Sequence, residues 1–174
     1  DLDPGEVVTW AQLVAAAKAV RGVLQVLGLQ TWVKTTGGRG LHIVMPIARH
    51  RDWSECLTFA RHVAQALERS QPATFTTAFP KHGRAGKILL DYLRNNRTNT
   101  SIAAFSTRAR EGAPVSVPIA WSELTSRLST SAFTVASVPG RLPRMTTIPW
   151  AGYWTCRQRI SAAVARAVER EMLP

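Results

Sequence analysis

The sequence predicts one α+β domain, and three observations point to it. Two stretches carry apolar residues at helical spacing behind capping boxes, two strand-length runs joined by glycines lie between them, and no internal repeat or linker interrupts the chain. With 174 residues, 45% of them hydrophobic, there is enough material for a real core.

Taken in order, Asp1-Leu2-Asp3 reads as the start of a strand. Residues i and i+2 face the same side, so two carboxylates aim one way and Leu2 enters a core. By itself an Asp-x-Asp-x-Gly start is more often a solvated turn. It fails the calcium-loop template, having Gly5 and Glu6 where that loop needs Asn or Asp and then Gly. Thr9 and Gln12 form a capping box ahead of a helix striped by Trp10, Leu13, Val14, Ala17, Val20, Leu24 and Leu27, which Gly28 ends. Trp32 to Thr36 and Leu41 to Pro46 read as strands flanking the Gly37-Gly38-Arg39-Gly40 loop. Asp52 and Glu55 cap a second helix, with Trp53, Cys56, Leu57, Ala60, Val63, Ala64 and Leu67 on one face. Gly86 to Tyr92 reads as a strand in which Lys87, Leu89 and Asp91 share a side, placing Lys87 beside the acid. Ser101 to Arg108 is expected as a further strand, Trp121 to Leu128 as a short helix, and Pro139 to Pro149 as an extended segment. A final helix is expected from Trp154 through Ile160, Val164 and Val168, with Arg157, Arg159, Arg166 and Arg170 on its wet side.

Charge narrows the function class. Twenty-two Lys and Arg against eleven Asp and Glu give +11, and three of the acids fall in the first six residues. Polyanions are the natural partners of such a surface, which selects nucleic acid or anionic membrane without sequence specificity. The longest apolar stretches stop well short of the roughly 20 residues a membrane helix needs, and no basic-plus-apolar leader opens the sequence, so a cytoplasmic protein is expected. Cys56 and Cys156 lie 100 positions apart in helical patterns, and reduced, buried thiols are expected rather than a zinc site or disulfide framework.

Asp91 is the only acid among seven Lys and Arg between Lys81 and Arg110. A carboxylate in so basic a stretch can hold a cation while its neighbours neutralise phosphate, the division of labour in two-metal phosphoryl transfer. Asp1 and Asp3 fit the same scheme. The Gly37-Gly38-Arg39-Gly40 loop can offer backbone N–H groups to a phosphate, with Thr36 adding a hydroxyl and Arg39 a charge. It is equally a hairpin turn, and it matches neither the dinucleotide nor the Walker fingerprint. His42, on a strand between Leu41 and Ile43, either faces a nucleotide or is a satisfied core histidine. Asp91-Tyr92-Leu93-Arg94-Asn95-Asn96-Arg97 sets an acid at a strand end ahead of two arginines, and Arg94 and Arg108 suit bidentate phosphate contacts. A solvated basic loop is the plain alternative.

Together, Asp1-Leu2-Asp3-Pro4, Lys34-Thr35-Thr36-Gly37-Gly38-Arg39-Gly40-Leu41-His42 and Gly86-Lys87-Ile88-Leu89-Leu90-Asp91-Tyr92-Leu93-Arg94-Asn95-Asn96-Arg97 resemble three motifs of the polymerase domain of bacterial DNA ligase D, within the archaeo-eukaryotic primase superfamily. The similarity continues through Ser106 to Ser116 and Phe133-Thr134-Val135. The resemblance implies a primase-polymerase core with a central, mostly antiparallel sheet flanked by helices, spanning 1–174 and lacking the family's N-terminal part. It implies that Asp1, Asp3 and Asp91 are catalytic and bind two divalent ions, Mn2+ or Mg2+. Nucleotide binding falls by the same match to Thr36, Gly37, Gly38, Arg39, Gly40, His42, Lys87, Arg94, Asn96 and Arg108. Thr36 stands where the family usually has serine, and keeps the hydroxyl.

The implied activity is addition of NTP or dNTP to a DNA primer 3′-hydroxyl during non-homologous end joining. The implied partners are gapped or overhanging DNA ends, a ligase domain in the same or a separate chain, and a Ku-type end-binding protein, all in the bacterial nucleoid. The family's upstream segment carries strands, a pocket for a 5′-phosphate and aromatics that pack on the template. Were the sequence complete, Asp1 would be a frayed terminus with its ammonium beside the metal site, and impaired catalysis is the expectation. A nucleic-acid binding module without catalysis is the alternative, and a metal-dependent nuclease a second.

Overall fold

A computed structural model describes residues 1–146 and 148–170. Six short strands form one sheet in the order β4-β5-β1-β3-β2-β6: β1 (Leu2–Pro4), β2 (Trp32–Thr35), β3 (Leu41–Val44), β4 (Phe75–Thr76), β5 (Ile88–Leu90) and β6 (Pro118–Ile119). Every neighbouring pair is antiparallel except β4 with β5. The central, mostly antiparallel sheet of an α+β fold is therefore present.

Both expected capping boxes form. Thr9 accepts from the Gln12 backbone ahead of α1 (Trp10–Val26), and Asp52 accepts from Glu55 ahead of α2 (Trp53–Ser70). The inner face of α1, led by Leu13, Val14, Ala17 and Leu24, joins Phe59, Val63 and Leu67 of α2 in one core with Leu2, Val33, Leu41 and Ile88 from the strands. Leu41 is at the centre of that core, fully buried and paired with both Leu2 and Thr35. Leu41→Ala is expected to cost about 2–5 kcal/mol, read as a fall in the denaturant midpoint without a change of slope.

The start of the chain is not frayed. Leu2 is buried, β1 lies between β3 and β5, and the Asp91 N–H donates to the Asp1 carbonyl at 2.9 Å. That pairing brings Asp1, Asp3 and Asp91 to one region, because Leu2 stands opposite Leu90 and Asp3 opposite Leu89.

Other expectations are corrected. Ser101 to Arg108 is not a strand: Phe105 takes a positive φ of 63°, which breaks an extended run, and only a Thr107–Val115 bridge forms. Trp121 to Leu128 makes turns instead of a helix, because the Trp121 indole is drawn to the Thr31 carbonyl at 2.8 Å and Glu123 folds back onto the Ala120 N–H. Pro139 lies in the first turn of a short helix, α3 (Val138–Arg141), where its missing N–H costs nothing, and Leu142–Arg144 continues as a 3-10 turn. That segment is therefore not extended; its Thr147 lies outside the described residues. The last helix, α4 (Ala162–Glu169), begins eight residues later than expected, where Ser161 caps Val164. Arg157 and Arg159 thus precede it. The two cysteines are free but half-buried, and Cys156 lies in that irregular stretch, not in a helix.

Candidate active site

The three acids converge. One carboxylate oxygen from each of Asp1, Asp3 and Asp91 lies within 4.8 Å of the others. Asp91 is held by position and by bonding: it directly follows β5, and its Oδ1 accepts from the Leu93 N–H at 3.0 Å, capping the 3-10 turn Tyr92–Asn95. That turn returns Arg94 over the acids, with Nε 2.9 Å from Asp91 Oδ2 and 3.8 Å from Asp1 Oδ2. Three close carboxylates repel one another, and a single guanidinium offsets that only in part. Asp1 Oδ1 is buried with no hydrogen-bond partner among the described residues, a costly state for a carboxylate oxygen. A hard-cation site of all-oxygen donors fits this arrangement, the unpartnered oxygen above all.

His42 is set by the register of the sheet. It pairs with Lys34 across β2 and β3, and its Nε2 lies 3.1 Å from Asp1 Oδ2. Burial, and then the charge of Lys34, lower its pKa to about 3. The contact is therefore a hydrogen bond from a neutral imidazole and not an ion pair at neutral pH.

The glycine loop is closed from within. Thr36 Oγ1 donates to the Gly40 carbonyl at 3.1 Å and accepts from the Gly38 N–H at 3.3 Å. Gly37 has φ of 66°, and a Cβ there would lie 2.8 Å from Arg108 Cγ. The loop and Arg108 are thus packed as a unit. Arg39 donates to the Gly5 and Val8 carbonyls, tying the loop to the link between β1 and α1.

These elements surround a cavity of about 1050 Å³ lined by Asp1, Asp3, Thr36, Gly38, Arg39, Gly40, His42, Arg94 and Arg108. Arg110 and the loop from Lys81 to Ala85 complete its rim. A second cavity of about 290 Å³ shares Asp1, His42 and Arg94, adds Asp91, and runs beneath α2 among Phe59, Val63 and Leu67. Its apolar lining is unsuited to phosphate, whereas the larger one gathers several guanidinium groups.

Three expected nucleotide contacts, Gly37, Lys87 and Asn96, do not line the larger cavity. Asn96 uses its Oδ1 on the Thr98 N–H and hydroxyl. Lys34 is the residue that sequence reasoning passed over. Only 4% exposed, it donates from Nζ to Ser116 Oγ at 2.8 Å, and Ser116 in turn donates to the Thr35 carbonyl at 2.7 Å. The available signal was a lysine two residues before Thr36, on the same side of an otherwise apolar strand.

Burial, with Arg108 adding to it, lowers Lys34 to about 8 from 10.5. A base depressed on folding binds its proton more readily in the unfolded chain, so this group's contribution to stability rises with pH, from about 8 up to 10.5. Denaturation of the parent and of Lys34→Met at about pH 7 and about pH 10 checks this. The parent should gain relative to the variant at the higher pH; a difference that stays constant would show that the amine is not desolvated.

The fold and the cluster of acids define a member of the primase-like polymerases, and the comparisons name the branch. The LigD primase-polymerase domain family matches residues 1–150, and the chain belongs to it. It is 41% identical over 171 residues to the multifunctional non-homologous end joining protein LigD of Pseudomonas aeruginosa, covering 98% of this chain and 20% of that protein. The bifunctional LigD of Bacillus subtilis is 29% identical over 145 residues, covering 83% of this chain and 24% of the relative. The solved polymerase domain of Mycobacterium tuberculosis ligase D in complex with DNA superimposes with a TM-score of 0.79 at 36% identity, over 86% of this chain and 52% of that one. The chain thus spans a fifth to a quarter of these two curated relatives and about half of the solved domain.

Proposed function

We infer that the chain carries the catalytic half of an end-joining polymerase, which adds a nucleotide from NTP or dNTP to the 3′-hydroxyl of a DNA primer. The observation that carries this reading is the cluster of Asp1, Asp3 and Asp91, of which Asp1 and Asp3 line a large basic cavity, with a buried Asp1 oxygen left unpartnered among the described residues. Asp1, Asp3 and Asp91 would hold two divalent ions, Mn2+ or Mg2+. Such ions supply Lewis acidity, easing deprotonation of the primer hydroxyl and neutralising the departing pyrophosphate.

The protein's own part is positioning and charge. Arg108, packed against Gly37, presents a guanidinium to the triphosphate, and Arg94 does so beside the acids. His42, neutral and donating to Asp1, fixes the orientation of that carboxylate. Thr36 keeps the glycine loop closed so that its backbone can approach phosphate. DNA ends with a gap or overhang are the substrate class, in keeping with the solved relative's bound DNA and the end-joining names of the curated relatives. A ligase domain and a Ku-type protein are the expected partners.

Nucleotide binding tests the site apart from turnover. A fluorescent nucleoside triphosphate should bind in the presence of Mn2+ and lose about 10- to 100-fold in affinity on its removal or on Arg108→Ala, a charge-assisted contact being worth roughly 1.5–3 kcal/mol. Affinity for DNA that ignores Mn2+, without nucleotide binding, would instead indicate a non-catalytic binding module.

A further inference from the structure

The far end of β2 carries a group of aromatic rings that the catalytic reading does not use. Trp150 stacks on Tyr153 with centroids 4.6 Å apart, and Tyr153 meets both Trp32 and Trp154 edge to face, at 5.5 and 5.0 Å. The inner rings are anchored: the Trp150 indole donates to the Val33 carbonyl at 2.9 Å, and the Trp32 indole to the Ala151 carbonyl at 3.2 Å. Gln158 fastens the same segment to the body, bonding Gln30 in both directions and the Pro46 carbonyl. The outermost ring, Trp154, is nevertheless 81% exposed. A large, mostly exposed indole held on a rigid base loses little entropy when something stacks on it.

Charge identifies the occupant. Residues 124–168 contain six arginines and no Asp or Glu. Arg157 is three residues on, its Nη1 donating to the backbone carbonyls of Trp154 at 2.8 Å and Cys156 at 3.0 Å. An open aromatic ring in a wholly basic stretch is the combination that binds unpaired nucleic acid, the base stacking on the ring and the backbone following the guanidinium groups. Duplex DNA keeps its bases stacked on one another and offers no free face. Trp32, at the base of the aromatic group, and Thr35 mark the two ends of β2, so that base lies about 10 Å of strand rise from the end that leads into the glycine loop.

We propose that Trp154, with Arg157, is a stacking platform for single-stranded nucleic acid, a site separate from the acidic triad. It holds the unpaired strand of a DNA end and does not depend on catalysis. The test is fluorescence anisotropy with a labelled oligothymidylate of about ten nucleotides, a length within the usual site sizes, and with an abasic strand of the same length. Divalent ions and nucleotide are left out, so the outcome is independent of the catalytic site. Trp154→Ala should weaken oligothymidylate binding roughly ten-fold, Trp154→Phe should restore most of it, and neither should alter binding of the abasic strand. Equal affinity of parent and Trp154→Ala would overturn the proposal, as would an equal loss on the abasic strand. A concentration-dependent dimer in the parent that Trp154→Ala abolishes, with oligothymidylate binding unchanged, would give the ring to a second copy instead. The exposure of Trp154 predicts that the variants melt like the parent, and circular dichroism checks this.

Discussion

Asp91→Asn is expected to lower nucleotide addition by roughly 100- to 1000-fold, the scale of losing one preorganised electrostatic contact, while leaving thermal stability nearly unchanged. Asparagine keeps an oxygen where Asp91 Oδ1 accepts from Leu93, so the turn that aims Arg94 survives. The pair with Arg94 weakens, but one of three crowded carboxylates also loses its charge. These changes oppose each other in the folded chain. In turnover they do not, since a neutral amide is a poor ligand for a hard cation. Single-turnover extension in Mn2+ alongside thermal melting separates the two effects. A large fall in melting temperature would mean that Asp91 serves the fold more than the chemistry.

Gly40→Ala is the second substitution with a large expected effect, and it reaches the site through the backbone. A Cβ there would lie 2.5 Å from the Leu2 carbonyl oxygen and 3.3 Å from Asp3 Oδ1. The obstacle is backbone in the middle of the sheet, so β1 must shift relative to β3, taking Asp1 and Asp3 with it. The cost of such overpacking is typically about 1–3 kcal/mol. Activity should fall by more than the stability loss accounts for, because the acids lose their spacing even in molecules that fold. Gly28→Ala is the control: its added Cβ meets nothing within 4 Å, though its φ of 73° carries strain, so it should cost stability and spare the site. Equal residual activity in the two folded variants would contradict this reading.

Much of this was legible in the sequence because it is local. Capping boxes at Thr9 and Asp52, the glycine loop, and the alternation that points Asp1 and Asp3 together all operate over a few residues. The convergence of Asp91 with them came from the family resemblance, since the pairing of β1 with β5 spans the sequence separation from Leu2 to Leu90. What stayed hidden depends on tertiary partners. The strands β4 and β6 are two residues each, too short to show a period. Trp121 reads as helical until Thr31 claims its indole. Lys87 lies just before β5, which is regular only from Ile88 to Leu90, so the strand alternation alone does not fix its side. Lys34 carries no signal of burial in the sequence, and only the packing of Ser116 against β2 shows it to be buried.

Whether this cavity joins a nucleotide to a primer is read directly from one gel assay. A 5′-labelled primer on gapped DNA with a 5′-phosphate downstream is incubated with the chain, Mn2+ and the nucleotide complementary to the first gap position. Growth of the primer by a single nucleotide, lost in Asp91→Asn, is the predicted result. A primer that shortens would make the site a nuclease, and one that stays unchanged while Mn2+ and nucleotide are demonstrably bound would contradict the assignment of nucleotidyl transfer.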